Sequence, residues 1–431
     1  MAQSAVSETA VVKDNGIRKP FLSSPSSDSP LSDFKLDLRA STTISTSSDS
    51  LLRGHKLQST YHVYHKRESH RLISPTIDRS KERFWGPTTK ESKEKRKARK
   101  EAESIKKDTS GKIPEDAKSA VDQEGGSFFL HTPYLAFHDP PRVLYVGNSK
   151  HCVPAVLIHS SFLWRTWKLQ FGRSLATPGV LDPRGVVCWQ HNGGDKQALK
   201  ADDRKLKGYK VRTWRLWGET GKSYVHDVTA NRKAGTGPDP DIIDQKMSPV
   251  SADEVVYLKW TSPFSRDTRR YHFQYAGIDF YWKGTGTVKE SRTCGFCLRY
   301  NHLKLVARLP MYHEIKQESA TQPEVCLGKY TCSIAARKSG KIELYEGAIW
   351  HLMAEYMPAA LSDLNLDAQG EKEENGEGTQ LAQVQSVKRT RLYHVIVSTA
   401  MCMMIGEKQK RETIRQILEA AVSEGAGGGG G

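Results

Sequence analysis

The chain has 431 residues, 37% of them apolar, and its 65 Lys and Arg against 49 Asp and Glu leave a formal charge of +16. That apolar share is below the ~45–50% of ordinary globular chains, so part of the length is expected to stay unpacked, and the charge calls for an anionic partner. Collagen, coiled-coil and multi-span membrane classes are excluded, because neither their repeats nor an apolar run of about 18 residues occurs.

Met1–Pro20 lacks the apolar stretch of a signal peptide, and no Asn-x-Ser/Thr acceptor is present. Seven scattered Cys read as reduced thiols rather than a disulfide framework. The expected compartment is cytoplasmic or nuclear, with peripheral membrane attachment as a further option.

Residues 1–125 read as a disordered arm. Thirteen of the first fifty residues are Ser, and such a segment buries too little apolar surface to offset its chain entropy. Ser24-Pro25, Ser29-Pro30 and Ser74-Pro75 are candidate phosphosites that would engage a protein partner, or simply dipeptides typical of disorder. From Lys90 to Lys107, nine basic and four acidic residues carry no apolar stripe. At the centre, Lys95, Arg96, Lys97, Arg99 and Lys100 read either as a nuclear-localisation or nucleic-acid patch or as a solvated linker.

Residues 126–422 read as one folded domain. Tyr271, Phe273 and Tyr275, then Ile278, Phe280 and Trp282, alternate with polar residues around Ala276-Gly277, which is a hairpin signal. Similar alternation marks Val143–Val146, Val153–His159, Phe162–Phe171, Val186–His191, Val255–Thr261 and Leu303–Leu309. Two more hairpins are read at Lys210–Val228 and at Tyr330–Tyr345, the latter turning at Lys338-Ser339-Gly340. About ten antiparallel strands predict a sandwich or barrel. Glu346–Ala360 has helical spacing, an acidic loop fills 366–385, and a glycine-rich tail occupies 423–431.

The most informative segment is Leu392–Ile405, within a helix expected over 391–420. Val395, Ile396, Met401, Met403, Met404 and Ile405 leave it apolar nearly all the way round. Its fourteen residues span ~21 Å as a helix, short of the ~30 Å core of a bilayer, so no transmembrane span is expected. A helix apolar on every side must be enclosed on every side. In a chain of strands the simplest enclosure is a closed barrel threaded by this helix, giving a mainly β fold. After Gly406, only a narrower stripe of Ile414, Ile417 and Leu418 remains.

With segments such as Val255-Val256-Tyr257-Leu258-Lys259-Trp260 and Phe280-Tyr281-Trp282-Lys283-Gly284-Thr285-Gly286, this arrangement resembles the tubby C-terminal-like superfamily, which includes tubby proteins and phospholipid scramblases. The resemblance implies a barrel filled by its C-terminal helix, binding to phosphoinositides or membranes, and no classical enzyme activity.

Residues 256–309 hold ten Lys/Arg and three Asp/Glu. Lys259, Arg269, Arg270 and Lys283 are the candidate anion- and lipid-binding residues; as isolated side chains they read equally as solvated charges that guard a strand face. Cys294-Gly295-Phe296-Cys297, followed by His302, has the spacing of half a zinc site, but Cys326 and Cys332 make a poor second half. Asp239, Asp241 and Asp244 lack the ligand pattern of a calcium loop. No metal, cofactor or catalytic motif is assigned. The expected function is a non-enzymatic module for anionic phospholipids, acting as a membrane-tethered or nuclear-shuttling regulator. The alternatives are a nucleic-acid-associated basic protein and a phospho-regulated interaction scaffold.

Overall fold

Apart from short gaps, the computed structural model describes residues 58–83, 126–209, 247–261, 270–284, 302–310, 323–365 and 386–426, with a few residues between 90 and 101 and Lys233. Twelve strands close into one antiparallel barrel in which each strand pairs with its sequence neighbours and the last returns to the first. They are β1 Gln58–Lys66, β2 His70–Ser74, β3 Phe128–His131, β4 Arg142–Val146, β5 Val153–Ser160 and β6 Thr166–Phe171. The second half is β7 Glu254–Thr261, β8 Arg270–Tyr275, β9 Ile278–Lys283, β10 His302–Arg308, β11 Glu324–Cys332 and β12 Lys338–Tyr345.

Through it runs a helix, Arg391–Ala426, of 36 residues, enclosed as far as Glu407 and emerging beyond it. Val395, Ile396, Met401, Met403 and Met404 are buried among the inward side chains of the strands, and half-buried Ile405 packs on the same core. The expectation of an enclosed apolar helix therefore holds. Four polar contacts set its height in the barrel. Tyr393 Oη lies 2.8 Å from Tyr61 Oη of β1 and donates to Glu346 at 3.0 Å; Trp282 Nε1 of β9 donates to Thr399 Oγ1 at 3.2 Å; Tyr271 Oη of β8 donates to Glu407 at 3.0 Å. Burial keeps both phenols protonated, pushing Tyr61 up to about 12 and Tyr393 well above its ordinary value. Among the described residues no helix is long and apolar enough to cross a membrane.

The hairpin β8–β9 forms as read, with Tyr275 opposite Ile278 and positive φ at both Ala276 (48°) and Gly277 (80°), the turn that matches strand twist. Phe273 and Phe280 stack inside, with ring centres 4.9 Å apart.

Several expectations need correction. The barrel begins at Gln58, not at Phe128, so the arm read as disordered over 1–125 contains β1 and β2. Ser-rich flanks hide the inward pair Tyr61 and Val63, which belong to the main core. Val186–His191 forms no strand. Val187 instead packs with Leu175, Val180 and Leu206 over the outward side chains Phe129, Val143, Tyr145 and Leu157 of β3–β5, and Trp189–His191 is a short 3-10 turn. Lys338-Ser339-Gly340 opens β12 rather than turning; Gly340 is needed because the ring of Tyr330 lies where a side chain would project. Glu346–Ala360 divides into Glu346–Tyr356 and Pro358–Asn365, because Pro358 has no N–H with which to continue the first helix. The central helix, expected over 391–420, extends to Ala426 and so into the segment read as a tail. The reading at Lys210–Val228, the loop 366–385, Cys294, Cys297 and the Asp239–Asp244 loop lie outside the described residues.

Candidate functional site

In an up-and-down barrel, odd strands run toward one rim and even strands away from it. The central helix leaves through the rim formed by the ends of odd strands and the starts of even ones, where Glu407 meets Tyr271. The residues that build the site are the outward-facing positions of β7–β11 near this rim.

Their register makes a row. Arg270 stands opposite Lys283, Lys283 opposite Lys304, and Lys304 opposite Lys329, four cations on four successive strands. Lys329 in turn faces Glu343 of β12. Lys259 lies one step along, opposite His272. Like charges placed directly across a ladder destabilise it, so such a row is a cost the barrel bears.

Part of that cost is offset locally. Lys283 Nζ donates to both carboxylate oxygens of Glu324 at 2.6 Å, and Lys329 pairs with Glu343 at 2.9 Å. Burial would raise the Glu324 pKa, but hydrogen bonds from Lys283 and Arg308 hold it below its ordinary value. Arg270 lies over the ring of Tyr281 at 5.5 Å, with Arg308 over the same ring at 4.4 Å. His272 stacks on that ring at 4.8 Å and meets Asp279 at 2.8 Å. Lys259, Arg270 and Lys304 have no carboxylate partner among the described residues. Acidic side chains gather toward the opposite rim: Asp253, Glu254, Asp279 and Glu324 at or near the starts of odd strands, and Glu346 just after β12.

Of the residues singled out from sequence, Lys259, Arg270 and Lys283 share this face, and Arg269 lies outside the described residues. Lys283 is committed to Glu324, which makes it less available than expected. Lys304 and Lys329 were not anticipated. Their outward phase is legible from the alternation with Leu303, Leu305 and Tyr330, but their alignment depends on pairing across the 285–301 and 311–322 segments. Lys97 is exposed beside Glu101 at 3.8 Å, while Lys95, Arg96, Arg99 and Lys100 lie outside the described residues. No group of metal-binding side chains occurs among the described residues. Comparison with protein-family models, with curated proteins and with solved structures finds no match to this chain.

Proposed function

We propose that the protein is a non-enzymatic, tubby-like barrel that docks reversibly on anionic phospholipid surfaces, phosphoinositides among them, through the outer face of β7–β11. The observation that carries this reading is the cross-strand row Arg270–Lys283–Lys304–Lys329 with Lys259 beside it. A sheet that aligns like charges without neutralising them all is suited to meet an external anion. Resemblance to the tubby superfamily adds the expectation of a lipid partner; the closed barrel around a C-terminal helix is the feature in common.

Magnitude favours reversible attachment. Each basic side chain near an anionic membrane contributes ~1 kcal/mol, so the three without carboxylate partners together supply about 3 kcal/mol, or roughly a hundredfold in affinity. Nucleic acid is the weaker reading for this face. Base stacking needs an open aromatic platform, and Tyr281 is buried beneath Arg270, Arg308 and His272, while the exposed ring on this face, Tyr257, has its hydroxyl tied to Asp203.

Vesicle co-sedimentation tests the proposal with phosphatidylcholine alone, with added phosphatidylserine, and with added phosphatidylinositol bisphosphate. Binding is expected only to the two anionic compositions, and the K259Q/R270Q/K304Q variant should lose about a hundredfold. Equal binding to neutral vesicles, or none to any, would end the reading.

A further inference from the structure

A cleft of about 340 Å³ opens at the rim where the central helix emerges. One wall is the helix itself, which presents Met404, Lys408, Glu412 and Arg415 along one side. The other comes from the ends of β1 and β11 and the start of β12, with His65, Tyr330, Ser333 and Ser339.

The charges here differ in how tightly they are held. Lys338, also in the lining, is spent: its Nζ is 2.9 Å from His62 Nδ1 and 2.5 Å from Glu82. Among the described residues, Lys408 and Arg415 pair only with residues one turn along their own helix, Glu412 at 3.5 Å and Glu419 at 2.8 Å, with all four side chains well exposed. Solvated pairs of that kind exchange readily for a stronger anion. Arg71 and Arg142 add positive field nearby, the first acting on both His65 and Glu412. Burial, then the charges of Arg71 and Lys408, push the His65 imidazole down to about 4, so it stands uncharged, with Nε2 2.9 Å from Ser339 Oγ. Ser333 Oγ accepts from the Ala335 amide, which leaves its own proton for a ligand.

We propose that this cleft is a discrete phosphate-binding site, taking a phosphate monoester or diester between Lys408 and Arg415 on the helix and the hydroxyls of Ser333 and Ser339. A tetrahedral anion accepts donors from several directions at once, and Arg offers a planar fork where Lys offers a point charge. Met404 and Tyr330 give the cleft an apolar side suited to the ester substituent. Glu412 is the internal competitor, since it holds Lys408 whenever the cleft is empty. The site uses none of the residues of the docking face, so either can fail without the other.

Calorimetric titration of the full chain with inorganic phosphate, against sodium chloride at matched ionic strength, tests the site. K408Q/R415Q is expected to weaken phosphate binding at least tenfold, and E412Q to tighten it several-fold. The second variant matters because misfolding would not produce a gain. Phosphate binding no better than chloride, or unchanged by both variants, overturns the proposal. Vesicles containing phosphatidylinositol bisphosphate separate the two sources. If K408Q/R415Q also weakens vesicle binding, the phosphate belongs to a lipid. If only the inorganic titration changes, the site serves a soluble phosphate.

Discussion

Tyr393 shows how a single hydroxyl can hold a helix inside an apolar barrel. Its oxygen touches both Tyr61 and Glu346, and Glu346, almost wholly buried, otherwise meets only Lys388 at 3.5 Å among the described residues. Tyr393→Phe keeps the ring and its packing on Phe128 but leaves a buried carboxylate short of a donor. Leaving such a group unsatisfied costs about 1–3 kcal/mol. A urea midpoint lowered accordingly, with an unchanged slope, is the expected outcome. An unchanged midpoint would mean that Lys388 or water already satisfies Glu346. At this scale the sequence was partly legible: Thr399 bonds back to the Ile396 carbonyl at 2.9 Å, as its short side chain allows, whereas Ser398 finds no partner among the described residues. The long-range partners Tyr61 and Tyr271 could not be read, because 332 residues separate the first from Tyr393.

Among the elements, the central helix depends on Gly406. A methyl group there would come within 3.0 Å of Trp167 and 3.2 Å of the Tyr271 hydroxyl. Trp167, Trp260 and Tyr271 pack together at this rim, with ring centres 5.1–6.5 Å apart, so they have little room to yield. Gly406→Val should cost about 1–3 kcal/mol by overpacking, despite valine's better fit to an apolar core. The thermal midpoint checks this, and a stabilised variant would show that the aromatic cluster is looser than its geometry indicates. From sequence alone Gly406 read as the end of the apolar segment within a helix that continues to 420; what only the packing shows is that glycine here allows the close approach of Trp167 and Tyr271.

For the molecule as a whole, closure depends on the first two strands. β1 bridges β12 and β2, and Tyr61, Val63 and Ile73 contribute to the core around the helix. A chain lacking residues 1–75 removes two staves, leaving the edges of β12 and β3 unpaired and part of the helix in water, which is an aggregation hazard. Such a chain should be insoluble or should bind a hydrophobic dye, whereas one lacking only residues 1–50 should melt cooperatively at the full-length temperature. Light scattering and thermal melts distinguish the two. Equal stability would mean that the barrel closes without β1 and β2.

Strand alternation and the apolar segment Leu392–Ile405 were enough to require a β enclosure around a helix, because side-chain phase and the need to exclude water are local properties of the chain. They also put Lys259, Arg270 and Lys283 on outward positions. The alignment of Arg270, Lys283, Lys304 and Lys329 into one row, the bond from Lys283 to Glu324 and the closing role of Gln58–Ser74 came from folding. Register is set by pairing between segments joined through long loops, and no periodicity within a strand records which residue of a distant strand will lie beside it.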